Sequence, residues 1–318
     1  MLNKYVIGID VGGTHTRIGQ ISASGEVLKN QMLKTADYGD ATTFLEHLIG
    51  VIKTMISDDT EGFLGIGMGA PSVNEQNQTI TYAANLNWDG SLDIIQVLSQ
   101  VFSVPVKLTN DANLLVLAHQ HFDDALLSDF FVVTLGTGVG AGICCNGSLL
   151  KGKEGFAGEL GHVIVKDSGR SCSCGRKGCL ETYVSATGMI RTVTSLIAEF
   201  NSYKGSLLDL PMSHLNAKMI TELALSGDEI AKRALILTGE ILGKALANMV
   251  ALFNPQHIYL AGGVTQADQL LLAPTRQSFY HHLLNVYPDQ ITIEKSKFDD
   301  HEGAILGASV LIWQLNEA

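Results

Sequence analysis

Phe130-Phe-Val-Val-Thr-Leu135-Gly136-Thr137-Gly138-Val139-Gly140-Ala-Gly142-Ile-Cys144 decides the fold, because the chain uses the same device once before. The earlier copy is Tyr5-Val-Ile-Gly-Ile-Asp10-Val-Gly12-Gly13-Thr14-His-Thr16-Arg17, returning as a second strand to Ser22. Each copy reads as a short buried strand, a glycine turn and a returning strand. Glycines at such a turn clear side chains away, so backbone N–H groups can face an anion. In the first copy Thr14 and Thr16 add hydroxyl donors, and Asp10 places a carboxylate where phosphates would draw a magnesium ion. A lone Gly-Gly turn is ordinarily just a turn. Two such hairpins, each opening one half of the chain, predict a duplicated lobe that clamps nucleotide between its halves. Nucleotide contacts are therefore expected at Asp10, Gly12, Gly13 and Thr14, and again at Gly136, Thr137 and Gly138.

A second stretch carries different chemistry: Glu159-Leu-Gly-His162, then Cys172-Ser-Cys174-Gly-Arg-Lys-Gly-Cys179-Leu-Glu181. Thiolates and imidazole are ligands that zinc prefers, and four of them close a tetrahedral site with no open position. His162, Cys172, Cys174 and Cys179 are the expected ligands of a structural zinc. A disulfide with a spare thiol is the plainer alternative, although nothing marks the chain as secreted. Glu159 and Glu181 flank the knot, which makes it a rigid scaffold for presenting carboxylates.

Working outward, apolar spacing predicts a helix over 43–56 with Thr43 and Glu46 as a capping box, and a strand over 63–68 feeding Pro71-Ser72. A strand over 106–109 delivers Asn110-Asp111-Ala112-Asn113 to a helix ending near Phe122. From its position alone, Asp111 reads either as a helix N-cap or as a functional carboxylate. Asn146-Gly147 makes a tight turn, and Cys144 and Cys145 read as packing residues. Helices are expected over 186–200, 218–225 and 228–253, the last near-continuously apolar. A strand over 257–261 opens onto Gly262-Gly263, which would admit an adenine ring or simply turn the chain, and 302–315 forms a terminal helix. The expected division is an N-terminal lobe of 1–112, joined by helix 302–318, and a C-terminal lobe of 113–301.

Composition bounds the possibilities. The 318 residues suffice for two lobes, and 46% hydrophobic with 17% charged residues indicates an ordinary globular core. A formal charge of −11 argues against nucleic acid as a partner while leaving phosphorylated small ligands open. No apolar run reaches the ~18 residues of a membrane span. The first ten residues lack the form of a signal peptide, so a cytoplasmic protein is expected.

The cassette resembles the signature of the ROK family (repressors, open reading frames and sugar kinases): Gly-Glu-x-Gly-His, then Cys-x-Cys-Gly-x-x-Gly-Cys-x-Glu. Asp10 to Arg17 and Asn110 to Asn113 are similar to further family motifs, so the resemblance spans nearly the whole chain. It implies an α/β protein of the actin-like, ribonuclease-H-like architecture and an ATP-dependent hexose kinase, foremost a glucokinase acting on the sugar 6-OH. Asp111 then stands where these kinases carry their catalytic base. Asn85, Asn110, Asp111, Glu159, His162 and Glu181 stand as sugar contacts, with Gly262 and Gly263 beside adenine. The cofactors implied are ATP, Mg2+ and structural Zn2+, and a homodimer is expected because dimers are common in the family. Pro71-Ser72 departs from the usual Pro-Gly, which leaves allose, N-acetylmannosamine and fructose as alternative substrates. The family's repressors carry a DNA-binding helix-turn-helix ahead of the first glycine turn, for which Asp10 leaves no room. The glycine turns are expected to lie far from the knot, so that losing zinc would weaken sugar binding much more than ATP binding.

Overall fold

A computed structural model of the chain describes residues 4–56, 60–80, 93–200, 203–208, 210–211, 214–287 and 291–317. Two compact units divide it: Met1–Leu126 with Gly142–Ala157 and Phe298–Ala318, and Leu127–Ala141 with Gly158–Lys297.

In the first unit the opening apolar run forms β1 (Tyr5–Val11), which returns as β2 (Thr16–Ser22) and β3 (Val27–Leu33). Helix α1 (Ala41–Ile56) and strand β4 (Phe63–Ala70) follow, then a small hairpin of β5 (Val73–Asn74) and β6 (Thr79–Ile80). Helix α2 (Ile94–Phe102), strand β7 (Val106–Asn110) and helix α3 (Asp111–Phe122) complete this run. The sheet order is β3-β2-β1-β4-β7. β1 is antiparallel to β2 and parallel to β4, which is parallel to β7. The buried face of α1 (Phe44, Leu48 and Ile52) packs in one cluster with Ile7, Ile9 and Ile66 of the sheet. The cap of α1 corrects the expected capping box: Asp40 receives the N–H of Thr43 at 2.9 Å and its hydroxyl at 2.9 Å.

The next segment repeats the arrangement. β8 (Phe130–Leu135), β9 (Val139–Cys145), β10 (Ser148–Leu149), β11 (His257–Ala261) and β12 (Thr292–Lys295) form a sheet of order β10-β9-β8-β11-β12. Numbered within its own half, each sheet has the order 3-2-1-4-5. That duplication is the actin-like, ribonuclease-H-like pattern. The helices of this half are α4 (Glu181–Val184), α5 (Ala186–Glu199), α6 (Ala217–Leu225), α7 (Glu229–Phe253) and α8 (Gln269–His282). By length and apolarity α7 would suffice to cross a membrane. It is instead a core helix, burying Leu235, Leu242, Leu246 and Val250 and packing on α8, α6 and α5.

The terminal helix α9 (Asp300–Glu317) belongs to the first unit and lies directly on β1 and β4. Its backbone approaches so closely that a Cβ at Gly8 would collide with the Ile305 carbonyl and one at Gly67 with the Ala308 carbonyl. The lobe boundary differs from the one read at residue 112. Helix α3 packs along α9, and a Cβ at Gly142 would strike Val116, so 113–126 and 142–157 are part of the first unit.

Candidate functional site

The first unit gathers one group of polar residues at the ends of β1 and β7. The β1–β2 register closes with Asp10 opposite Arg17 and Val11 opposite Thr16, leaving Gly12, Gly13, Thr14 and His15 as the turn. The Gly12 N–H donates to the His15 carbonyl at 3.0 Å and thereby shapes the turn. Thr14 is exposed. Thr16 corrects its expected role: it is fully buried, and its hydroxyl is paired with that of Thr35 at 2.8 Å. Burial and then the Asp111 carboxylate push the pKa of Asp10 up to about 7, with Arg17 opposing.

Asn110 occupies the N-cap position of α3, but its side chain makes no cap. Its Oδ1 accepts from Val73 N–H at 3.0 Å and its Nδ2 donates to the Gly155 carbonyl at 2.7 Å, stapling the β7–α3 corner to β5 and to the loop at Gly155. Asp111 is therefore the first helical residue and not the cap, and its Oδ1 accepts from Ala112 N–H at 2.7 Å. Asp111 keeps an exposed surface, so a ligand can reach it. The protein around it nevertheless raises its pKa by desolvation, with backbone donation from Ala112 opposing. Ser72, where the family favours glycine, adopts φ 55, so a serine holds a left-handed backbone that glycine takes without strain. Asn85 lies outside the described residues.

The Asp10 shift has a testable consequence. A group whose folded pKa is raised contributes stability below its unfolded value, about 3.8 here, which is lost as pH rises through about 7. Asp10→Asn should therefore stabilise the ligand-free protein at pH 8 by on the order of 1–2 kcal/mol, discounted for partial solvent exposure, and by less at pH 5. Urea denaturation at both values measures this, and a gain that does not grow with pH would contradict the assignment.

The second unit gathers the knot. Among the described residues His162, Cys172, Cys174 and Cys179 bring one donor atom each to within 4.8 Å of one another. Cys174 Sγ lies 3.6 Å from Cys179 Sγ, and Cys172 Sγ lies 3.7 Å from His162 Nδ1. These match the edges of a tetrahedron drawn around zinc at Zn–S of about 2.3 Å. No disulfide joins these cysteines. Burial and the neighbouring sulfurs push the Cys179 thiol up, while hydrogen bonding from Arg176 lowers Cys174. The donor set therefore fits zinc. Nδ1 of His162 faces the sulfurs, and its Nε2 lies 3.9 Å from the exposed Glu159 carboxylate. Arg170, which no sequence signal marked, anchors this loop. One guanidinium nitrogen donates to the Thr182 and Gly188 carbonyls at 2.8 and 2.9 Å and to Thr192 Oγ1 at 3.0 Å, and the group stacks 4.7 Å over the Tyr183 ring.

The knot and the second glycine turn are joined, contrary to the expectation that they are distant. Glu181 Oε2 accepts from Val139 N–H at 3.0 Å, while Oε1 lies 3.9 Å from Cys172 Sγ. A Cβ at Gly138 would lie 2.5 Å from Glu181 Oε2, so a side chain there would displace this carboxylate. The start of α5 ties down the same turn: Ala186 N–H donates to the Gly136 carbonyl at 2.8 Å and Thr187 Oγ1 to the Thr137 carbonyl at 3.1 Å. Gly262, at φ 98, lies against the Leu135 backbone, and a Cβ at Gly263 would meet only open space.

The ROK family model matches residues 6–314. The chain belongs to the ROK family. A glucokinase of Halalkalibacterium halodurans is 31% identical over 327 residues, covering 99% of this chain and 97% of that protein. A xylose repressor of Caldicellulosiruptor bescii is 28% identical, covering 96% of this chain and 77% of the repressor. Among solved structures, a ROK glucokinase of Streptomyces griseus in complex with glucose and AMPPNP superposes with a TM-score of 0.80 at 28% identity, over 98% of this chain and 99% of that one.

Proposed function

We propose that this chain is an ATP-dependent hexose kinase, foremost a glucokinase, in which Asp111 takes the proton of the attacking 6-hydroxyl. One observation carries the reading: a solvent-reachable carboxylate at the head of α3, held by the Asn110 staple and facing the charge of Asp10. Similarity to the glucokinases over nearly the full length supports it. Phosphoryl transfer through a loose transition state depends on positioning and charge neutralisation, so one oriented carboxylate suffices as base.

Asn85, Asn110, Glu159, His162 and Glu181 are proposed as the sugar contacts, their oxygens and ring nitrogen suited to hydroxyl groups. Asp10, Gly12, Gly13 and Thr14, with Gly136, Thr137, Gly138, Gly262 and Gly263, are proposed for ATP. Asp10 would hold a magnesium ion with the nucleotide, and such an ion would supply neutralisation of phosphate charge. His162, Cys172, Cys174 and Cys179 would hold a structural zinc, and four protein ligands would leave no position for a substrate. Cytoplasmic location suits reduced cysteines, and a homodimer accords with the family.

A coupled assay across glucose, allose, N-acetylmannosamine and fructose tests the reading. Glucose should give the highest kcat/KM, and a preference for another sugar would assign Ser72 a part in hexose choice. Absence of turnover on every hexose would favour a sugar-responsive regulator, which similarity to the xylose repressor keeps in view.

A further inference from the structure

Glu75 sits just after β5, with its side chain only 7% exposed. An ionised carboxylate this buried is costly unless its oxygens are fully engaged. They are engaged at one place. Oε1 accepts from the Thr109 hydroxyl and from Asn113 Nδ2 at 3.3 Å, and Oε2 takes the Lys151 ammonium at 2.9 Å. Thr109 is the penultimate residue of β7, and Asn113 lies in the first turn of α3. Both are buried, and Asn113 Nδ2 also reaches Thr109 Oγ1 at 3.2 Å. Between them stand Asn110 and Asp111. The carboxylate thus grips the strand-to-helix corner on both sides of the residue that the corner presents.

Lys151 extends the grip to a second loop. Gln76, next to Glu75, donates through Nε2 to the Lys153 carbonyl at 2.5 Å, and Asn110 Nδ2 donates to the Gly155 carbonyl of the same loop. Gly155 adopts φ 96 and packs on the Glu75 side chain. Glu75 therefore organises the β5–β6 turn, loop 151–155 and the β7–α3 corner around one buried charge.

We infer that Glu75 is a positioning residue for the phosphoryl-transfer step, acting through Asp111; this rests on the reading of Asp111 as the base. Glu75 does not touch substrate in this role. Its loss lets the corner drift, and a displacement of ~1 Å at a reacting group costs about 100-fold.

The test is a double-mutant cycle. Glu75→Ala should lower kcat by about 30–100-fold with KM for hexose and for ATP within about threefold of wild type. In an Asp111→Asn background the same substitution should cause no further loss, because two residues acting through one proton transfer are non-additive. Glu75→Gln, which keeps an acceptor for Thr109 and Asn113, should restore kcat to within about fivefold of wild type. If Glu75→Ala does not fold, Thr109→Val removes one donor at a position where valine suits the strand. It should show the same non-additivity with a loss of about tenfold. A folded Glu75→Ala protein with kcat within threefold of wild type would overturn the inference. So would a loss that multiplies with that of Asp111→Asn, or one shared equally by the KM values. Full turnover by Asp111→Asn alone would instead remove the assignment of the base, and is read separately.

Discussion

Asp111→Asn should lower turnover by about 10²–10⁴, the range that a positioned general base contributes, with hexose affinity within about threefold of wild type. The substitution is conservative in shape. Asparagine keeps an oxygen to accept the Ala112 N–H, and the corner is held independently by pairing of Asn110 with Ala70 and by the Asn110 staple. What the amide cannot do is take a proton. Calorimetry for the sugar and a coupled assay for turnover separate the two effects, and turnover within tenfold of wild type would rule Asp111 out. The wild-type pH profile carries a second signature. Desolvation holds the Asp111 carboxyl above its ordinary 3.8, and a base works only when ionised. The acid limb of kcat/KM should therefore lie above the usual carboxylate range, and its position belongs jointly to Asp111 and Asp10 because their charges interact.

Local pattern made much of this architecture readable. β11 falls at the bounds that the apolar run and the following glycines indicate, and the glycine turns fall where the strands break. The knot was legible because its ligands cluster within one stretch. Several elements carry no strong local signal, α8 and β12 among them. α8 contains Pro274 and spreads its polar residues around the helix, and β12 is a four-residue edge strand, Thr-Ile-Glu-Lys, with only one apolar residue. Their structure comes from packing on α7 and pairing with β11. α2 was missed despite a usable signal, since Asp93 caps Gln96 N–H ahead of an apolar run. The contacts of Glu75 were beyond reach for another reason. Its partners stand 34 and 38 residues away, at Thr109 and Asn113, with Lys151 further still, and no periodicity links them. Long-range polar contacts follow from the topology, so they are visible only once the sheet is assembled.

Removing the zinc should affect both substrates, because Glu181, proposed as a sugar contact, also holds the second glycine turn. Protein purified without chelator should carry one zinc per chain, and Cys174→Ala should carry none, by elemental analysis. The variant should stay folded. Arg170 still holds the loop through three acceptors, and the bridges between Ser171 and Lys177 and between Ile164 and Cys179 remain. What is lost is the constraint on the segment through Cys179 that leads directly into Glu181. Losing such outer support typically costs about 10–100-fold, and hexose affinity should fall by that order. Oε2 of the same Glu181 fixes the Val139 N–H beside Gly138, so ATP affinity should fall too. That second effect should be smaller, about 3–10-fold or roughly 0.7–1.4 kcal/mol, because Ala186 and Thr187 continue to hold the turn at Gly136 and Thr137. Cys145→Ala, at a half-buried cysteine outside the knot, should leave zinc content and both affinities unchanged. Unaltered ATP affinity in a folded, zinc-free Cys174→Ala protein would show that Glu181 does not carry the state of the knot to the glycine turn. Unaltered hexose affinity in that protein would show that the knot does not organise the sugar site.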